Sequence, residues 1–199
     1  MELVKGLTRR KETLLERLTE LRESPGLVQG ILVSLGLAAI TGVAAQVRLP
    51  IPFSPVPMTG QVFVVLLIGS LFGKKLGAGS QAFYVGLGSM GLPWFSGLSG
   101  GFAALAGPTG GYILGFLPAA YLLGWLSEHF DLNGFTEIFS AGLVGLGVIY
   151  FFGSLQLSLF LNSGPMETIT VGLVPFVWLD LFKLLLVALV IRELNPGTR

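Results

Sequence analysis

The sequence predicts an all-α, polytopic membrane protein with six transmembrane helices and both termini in the cytoplasm. Of its 199 residues, 52% are hydrophobic and only 12% are charged, whereas soluble proteins carry roughly 25% charged residues. The mean hydropathy is +0.79. Long apolar runs recur along the chain, and the loops between them differ in charge from one side to the other. These three observations together predict the fold class.

The N-terminal segment, residues 1–24, differs from the rest because it holds six Lys or Arg and five Glu. Its leucines recur at helical spacing, which predicts a cytoplasmic amphipathic helix on the membrane surface or against a partner helix. A solvated, charged lead-in that sets the topology explains the segment equally well. Residues 25–199 are predicted to form the membrane domain.

Six apolar runs in this domain predict the transmembrane helices, which cover residues 27–47, 61–72, 76–90, 109–126, 138–161 and 169–191. The second run would extend only about 18 Å, which is short for a bilayer. Before it lies a proline-rich stretch, residues 48–60, for which we expect an extended loop. The glycine-rich residues 91–112 are uncharged, and we expect their backbone amides to line a cavity.

The distribution of Lys and Arg predicts the topology. With six spans, ten basic residues fall on the side of the termini, only Arg48 falls on the opposite side, and Lys183 lies within the membrane. This positive-inside pattern places both termini in the cytoplasm. The ten residues are Lys5, Arg9, Arg10, Lys11, Arg17, Arg22, Lys74, Lys75, Arg192 and Arg199.

Two charged residues, Asp180 and Lys183, interrupt the last apolar run. Each charge costs roughly 2.5–3.5 kcal/mol at the centre of a membrane helix. Their i, i+3 spacing places them on one face, so they can partly neutralise each other. An ion pair that only holds helices together is one interpretation. A site for a small solute with donor and acceptor groups is the interpretation we favour.

The first predicted helix carries a stripe of small residues. Gly30, Ser34, Ala38 and Gly42 recur at every fourth position, so one face permits close approach of another helix. The partner is either another helix of this chain or a separate subunit, and the sequence does not choose between them.

Catalytic, nucleotide and metal sites find little support in the sequence. Ser99 lies in a Gly-x-Ser-x-Gly match, but the only histidine, His129, is predicted on the opposite side of the membrane. The stretch around Gly73 lacks the spacing of a nucleotide-binding P-loop. With no cysteine and one histidine, a thiolate or multi-histidine metal site is excluded. We therefore predict no catalytic residue, no metal and no enzyme activity.

Four sequence blocks resemble the BioY family, the biotin-specific substrate-binding subunits (S components) of energy-coupling-factor (ECF) transporters. The blocks are Pro55-Val-Pro-Met-Thr-Gly-Gln61, Gly88-Ser-Met-Gly-Leu-Pro-Trp-Phe95, Gly107-Pro-Thr-Gly-Gly-Tyr-Ile-Leu-Gly-Phe116 and Asp180-x-x-Lys183. The resemblance covers about residues 28–192, and the third block is its most specific part.

The resemblance implies high-affinity capture of biotin from the outer face of a prokaryotic cell membrane. It further implies delivery of biotin with a membrane coupling subunit and two ATPase subunits, so that ATP is used by those partners and this chain needs no cofactor. The small stripe of the first helix would then pack against the coupling subunit. The expected ligand contacts are Asp180, Lys183, Ser99, Gly100, Gly101, Thr109 and Tyr112.

The sequence is also compatible with two other functions. One is a gradient-coupled carrier that works without partners and uses Asp180 as its proton or ion site. The other is an intramembrane serine hydrolase of the rhomboid type, with Ser99 as its nucleophile.

Overall fold

The computed structural model describes residues 13, 16, 19–22, 26–130, 132 and 134–194. Residues 19–22 are helical, but most of the predicted amphipathic helix of residues 1–24 lies outside the described residues. The elements in chain order are α1 (Leu27–Gln46), β1 (Arg48–Leu49), β2 (Met58–Thr59), α2 (Gln61–Ser89), α3 (Phe102–Ala106), α4 (Gly110–His129), α5 (Phe135–Leu161), α6 (Pro165–Gly172) and α7 (Val174–Leu194).

Among the described residues, five helices are long and apolar enough to cross a membrane: α1, α2, α4, α5 and α7. The protein is therefore a mostly helical membrane protein, as predicted. The predicted bounds of the spans mostly agree with the observed helices within a few residues. The clearest differences concern α2 and the last predicted span.

Helix α2 reverses direction at Gly73. This residue is non-helical, with φ +75° and ψ 176°, a conformation that glycine adopts readily. Gln61 Nε2 lies 2.7 Å from Tyr84 Oη, although 23 residues of straight helix would separate them by about 34 Å. Residues 61–72 and 74–89 are thus two antiparallel halves, which correspond to the second and third predicted helices.

Small residues allow these two halves to pack closely against α4. A methyl group on Gly69 would lie 2.9 Å from the Ala120 carbonyl oxygen, and one on Gly77 would lie 3.2 Å from it. Larger side chains at either position would push the helices apart. The resulting core is continuous with buried Leu66, Leu123 and other apolar residues of α2, α4, α5 and α7.

The small stripe of α1 packs inside this chain. Ser34, Ala38 and Gly42 are buried. A methyl group on Gly42 would lie 3.0 Å from Trp94 Cβ, and one on Gly79 of α2 would lie 3.1 Å from Ser34 Oγ. The prediction that this stripe packs against a partner subunit is therefore wrong for these three residues, because the chain's own second half of α2 and Trp94 occupy it. Gly30 is only partly buried.

The proline-rich stretch forms a short hairpin, in which β1 and β2 pair antiparallel with Arg48 opposite Thr59. The prediction of extended backbone is confirmed there. The glycine-rich stretch contains the five-residue helix α3, which the sequence pattern did not predict. Before α3, residues 91–101 form a loop with positive φ at Gly91, Gly97, Leu98 and Gly101.

The last predicted span, residues 169–191, is wrong as a single helix. The structure divides it into α6 and α7, with Leu173 non-helical between them. Pro175 explains the division, because proline lacks the N–H that would continue the helix and its ring clashes with the carbonyl four residues earlier. The helix α7 that follows carries Asp180 and Lys183 as predicted.

Candidate functional site

A cavity of about 550 Å³, including the space at its open mouth, lies where the hairpin meets α2, α4, α5 and α7. Its walls are mainly apolar, with a few polar side chains, which is typical of small-molecule sites. The lining residues are Val56, Pro57, Met58, Thr59, Gln61, Val62, Ser96, Thr109, Tyr112, Ile113, Phe116, Ile149, Tyr150, Phe176, Asp180 and Lys183.

Asp180 and Lys183 form an ion pair in this cavity. Lys183 Nζ lies 2.7 Å from Asp180 Oδ1, and Asp180 is only 3% exposed. Tyr150 of α5 donates a hydrogen bond of 2.8 Å to the other carboxylate oxygen, Oδ2. Both oxygens of the buried carboxylate therefore have a donor, which offsets the cost of removing its charge from water.

Lys183 also holds the hairpin. Its Nζ donates a hydrogen bond of 2.7 Å to the main-chain oxygen of Thr59 in β2. Within the described part of the chain, two of its three N–H groups bond to protein acceptors. The third N–H is left for an acceptor group of a ligand.

Ser96 brings a polar atom to the cavity that has no partner among the described residues. Its Oγ is buried and makes no hydrogen bond to them, although Ser96 lines the cavity. A buried hydroxyl without a partner costs about 1–3 kcal/mol. A ligand or a water molecule in the cavity would satisfy it.

A chain of hydrogen bonds joins the two loops beside the cavity. Thr59 Oγ1 donates to Gln61 Oε1 at 2.8 Å, and Gln61 Nε2 donates to Tyr84 Oη at 2.7 Å. Tyr84 Oη in turn donates to the Trp94 carbonyl at 3.3 Å. The hairpin and the glycine-rich loop are thus connected through two buried side chains, Gln61 and Tyr84.

Gln46, in the last turn of α1, fixes the glycine-rich loop from the other side. Its Nε2 lies 3.2 Å from the Trp94 carbonyl and 3.1 Å from the Phe95 carbonyl. Its Oε1 accepts the N–H of Leu98 at 3.0 Å. Leu98 has φ +55°, which is unfavourable for a residue other than glycine, so this bond stabilises the unusual turn.

The sequence profile of the BioY family matches residues 13–199. The chain belongs to the BioY family.

Similar proteins agree with this BioY assignment. The chain is 44% identical over 145 residues to the biotin transporter BioY of Thermotoga maritima, covering 73% of this chain and 84% of the relative. It is 38% identical over 160 residues to the probable biotin transporter BioY of Pyrococcus horikoshii, covering 80% and 92%.

A solved structure is also similar. The crystal structure of the S component for biotin from an ECF-type ABC transporter aligns with a TM-score of 0.78 and 26% identity. The alignment covers 86% of this BioY chain and 93% of the other protein. The membrane fold is therefore that of an S component, and the similar proteins are transporter components rather than enzymes.

Four of the seven predicted ligand contacts of this BioY chain line the cavity: Asp180, Lys183, Thr109 and Tyr112. Ser99, Gly100 and Gly101 are not among the lining residues. Ser99 is exposed, and its Oγ donates to the Ser96 carbonyl at 2.9 Å. It supports the turn that presents Ser96.

Tyr112 is held by a hydrogen bond of 2.7 Å from its Oη to the Gly172 carbonyl at the end of α6. Thr109 directly precedes α4 and makes no side-chain capping bond. The N–H of Gly110 bonds to the Gly107 carbonyl at 3.2 Å, so this amide is not available to a ligand.

Four polar cavity residues were not among the expected contacts: Thr59, Gln61, Ser96 and Tyr150. Tyr150 lies in a strongly apolar run of α5 and gives no sign of a polar role there. Ser96 lies three residues from the predicted Ser99, in a glycine-rich stretch whose register has no periodicity to define it. The i, i+3 spacing of Asp180 and Lys183 identified two cavity residues from their chemistry alone, and the family resemblance added Thr109 and Tyr112.

The serine-hydrolase alternative has no supporting geometry. His129 lies at the C-terminal end of α4, whereas the cavity is at its N-terminal end, about 30 Å away along a helix of 20 residues. A nucleophile needs its base within hydrogen-bond distance. Among the described residues, no group of three or more His, Asp or Glu is placed to hold a metal ion.

Proposed function

We propose that this chain is the biotin-binding S component of an ECF-type vitamin uptake transporter, and that biotin binds in the cavity of Asp180 and Lys183. The observation that carries the proposal is a buried, hydrogen-bonded ion pair at one side of an otherwise apolar cavity in a BioY-family chain. Biotin has polar groups at both ends and an apolar ring and tail between them, which suits such a cavity.

The ligand contacts that we propose are those polar residues that line the cavity. Lys183 would donate its third N–H to an acceptor of biotin, and Asp180 would accept from an N–H donor. Ser96, Thr109 and Tyr112 would complete the polar contacts. We place Ser96 in the role that the resemblance suggested for Ser99, because its hydroxyl faces the cavity and has no partner among the described residues.

We further propose six spans, with α2 contributing two and both termini cytoplasmic, in the prokaryotic cell membrane. The coupling subunit and two ATPase subunits would assemble with this chain, and they would use ATP. Since the small stripe of α1 is occupied internally, the coupling subunit would contact the opposite, exposed face of α1, which includes Leu32, Ile40 and Val43.

The natural absence of cysteine offers a direct test of this topology. A single cysteine at exposed Leu98 should react with a membrane-impermeant maleimide in intact cells. One at exposed Lys75 should react only after the cells are opened. Labelling of Lys75→Cys in intact cells would contradict the proposed orientation.

The gradient-coupled carrier is less well supported. An ion-binding carboxylate usually carries a negative charge that the ion neutralises, whereas the charge of Asp180 is already paired with Lys183 at 2.7 Å. Uptake by liposomes that contain this chain alone, driven by a proton or sodium gradient, would favour the carrier. Uptake that requires the ATPase subunits would favour the S component.

Calorimetry on the purified protein tests biotin binding. The wild type should bind biotin tightly, whereas Asp180→Asn should bind it at least about 100-fold more weakly, because this loss leaves the partly buried Lys183 charge without its counter-ion. Phe182→Ala is the matched control, since Phe182 lies beside Lys183 on α7 but is 53% exposed. Absence of binding by the wild type, or equal binding by Asp180→Asn, would refute the proposal.

A further inference from the structure

Arg48 is a basic residue of the hairpin whose side chain reaches the glycine-rich loop. It pairs with Thr59 across β1 and β2, and residues directly opposite in an antiparallel pair present their side chains on the same face. A methyl group at Gly97 would collide with Arg48 Nη1, so the guanidinium group lies directly against this loop. Arg48 therefore extends between the two loops that contribute to the cavity of Asp180 and Lys183.

The Arg48 guanidinium has no protein partner in the described part of the chain. Neither a hydrogen bond nor an ion pair joins it to another described residue, and Arg48 is exposed. Gly97 has φ +76°, which glycine adopts readily, and its lack of a side chain also leaves room for the guanidinium. The five N–H donors of this planar group are thus available to a carboxylate, whose geometry they match.

The residue next to Gly97, Ser96, supplies a second donor nearby. Its Oγ is buried and has no partner among the described residues, and Ser96 lines the cavity. Because Arg48 is exposed and Ser96 lines the cavity, the two side chains lie where the cavity meets solvent. A guanidinium cation beside a hydroxyl donor suits an anionic group, since hydrogen bonds to an ionised acceptor are the strong ones.

The ion pair of Asp180 and Lys183 offers no unpaired charge to an anionic ligand, because the two groups neutralise each other at 2.7 Å. Asp180 as a carboxylate can accept only from a donor of the ligand. Biotin carries N–H donors on its ureido ring, whereas its carboxylate is an acceptor. The ureido ring therefore suits the ion pair, and the carboxylate at the other end of the molecule needs a different cation.

We propose that Arg48 and Ser96 bind the carboxylate of biotin at the mouth of the cavity, so that Arg48 distinguishes biotin from analogues with an uncharged end. This inference rests on the proposed function, since it names the part of biotin that these residues contact. Arg48 supplies charge-assisted N–H bonds, and Ser96 supplies a hydroxyl bond. Each polar end of the ligand then has its own group of partners.

Calorimetry with biotin and with biotinamide tests this role, because the two ligands differ in the charge of the end group. Wild type should bind biotin about tenfold more tightly than biotinamide. Arg48→Gln should weaken the binding of biotin about tenfold and that of biotinamide less than about twofold. Arg48→Lys should give an intermediate loss for biotin, because lysine keeps the charge but lacks the planar fork.

Arg192→Gln is the matched control, because Arg192 is an exposed cation in the last turn of α7 that does not line the cavity. It should bind both ligands as wild type does. Equal affinity of wild type for the two ligands would overturn the inference. An equal loss of both ligands in Arg48→Gln would also overturn it, since Arg48 would then only support the loop.

The dependence on salt provides a second measurement. A rise in ionic strength from about 0.1 M to about 1 M should reduce the preference of wild type for biotin, because salt screens exposed charges. The ratio of the two affinities in Arg48→Gln should not change, and a salt-independent preference in wild type would contradict the role of Arg48. These outcomes differ from a failure of the proposed function itself, in which wild type would not bind biotin at all.

Discussion

Two loops border the cavity of Asp180 and Lys183, and different contacts hold each of them in place. The proline-rich hairpin is stabilised within itself, because Ser54 N bonds to the Ile51 carbonyl and Val56 N bonds to Ser54 Oγ, both at 3.1 Å. Its prolines also restrict the unfolded chain. The glycine-rich loop has internal bonds as well, such as Phe95 N to the Ser99 carbonyl at 2.9 Å. Its turn at residues 94–98 also receives side-chain bonds from outside, from Gln46 and Tyr84.

This difference indicates where each loop is vulnerable. Glycine can adopt the positive φ values of this loop, but it loses more conformational entropy on folding than other residues do. Hydrogen bonds from outside the loop offset that loss. The hairpin is also held from outside, by Lys183 at the Thr59 carbonyl and by the carbonyls of Ala44 and Val47 at the Gly60 N–H. Substitutions at these anchors should therefore loosen one loop, the other or both.

Loss of Lys183 should have the largest effect. Lys183→Met removes the tether of the hairpin and leaves Asp180 without its counter-ion, so biotin should bind at least about 100-fold more weakly. Hydrogen exchange should rise in residues 56–60 and remain near the wild-type rate in residues 94–99. Equal acceleration in both loops would show that they are not anchored separately.

Removal of Gln46 should loosen the glycine-rich loop and leave the hairpin unchanged. Gln46→Leu removes the bonds to the Trp94 and Phe95 carbonyls and to the Leu98 N–H, so exchange should rise in residues 94–99 and not in the hairpin. Biotin affinity should fall about tenfold, because the turn that presents Ser96 is loosened. Gln29→Leu, at an exposed position near the other end of α1, is the control and should bind as wild type does.

Removal of the Tyr84 hydroxyl should affect both loops moderately. Tyr84→Phe leaves the Gln61 amide and one bond to the Trp94 carbonyl unmade, at a cost of about 1 kcal/mol. We expect dissociation of biotin to accelerate about fivefold with little change in the association rate, measured by stopped-flow fluorescence. Tyr121→Phe, which alters an exposed tyrosine of α4, should leave both rates unchanged. A slower association in Tyr84→Phe with normal dissociation would contradict the role of this link.

A proline of the hairpin should matter least. Pro50 is exposed, and Pro50→Ala should reduce stability by only about 0.4–1 kcal/mol through the greater freedom of the unfolded chain. Biotin affinity should be unchanged, and thermal unfolding with and without biotin measures both quantities. A large loss of affinity would mean that the hairpin is less self-sufficient than its local bonds indicate.

Much of the fold was predictable because apolar length and charge bias are local properties of the sequence. The bilayer requires long apolar helices, so these patterns identify the spans, and prolines identify the extended hairpin. The division between α6 and α7 was missed because the apolar run continues through Pro175. The small stripe of α1 predicted close approach correctly, but periodicity contains no information on which surface approaches.

From residue chemistry alone, the site could be predicted only at the two charged positions, whereas Thr109 and Tyr112 were expected from the family resemblance. Charges such as Asp180 and Lys183 are expensive in a membrane helix, so their presence alone indicates a role. Tyr150 and Ser96 carry no such cost in the sequence, because tyrosine and serine are common in membrane helices and glycine-rich loops. Their roles arise from the tertiary structure, which brings Tyr150 to Asp180 and places Ser96 in the lining of the cavity.

The tether from Lys183 to the hairpin ends on a main-chain oxygen, and this has a consequence for sequence comparison. Every residue has a main-chain carbonyl, so a change of side chain at position 59 would leave the acceptor in place. The interaction is therefore encoded at position 183 alone, and a search for co-varying pairs would not detect it. Two chains that differ throughout their hairpins can keep the same tether, provided that each retains a lysine at the position of Lys183 and a backbone of similar course.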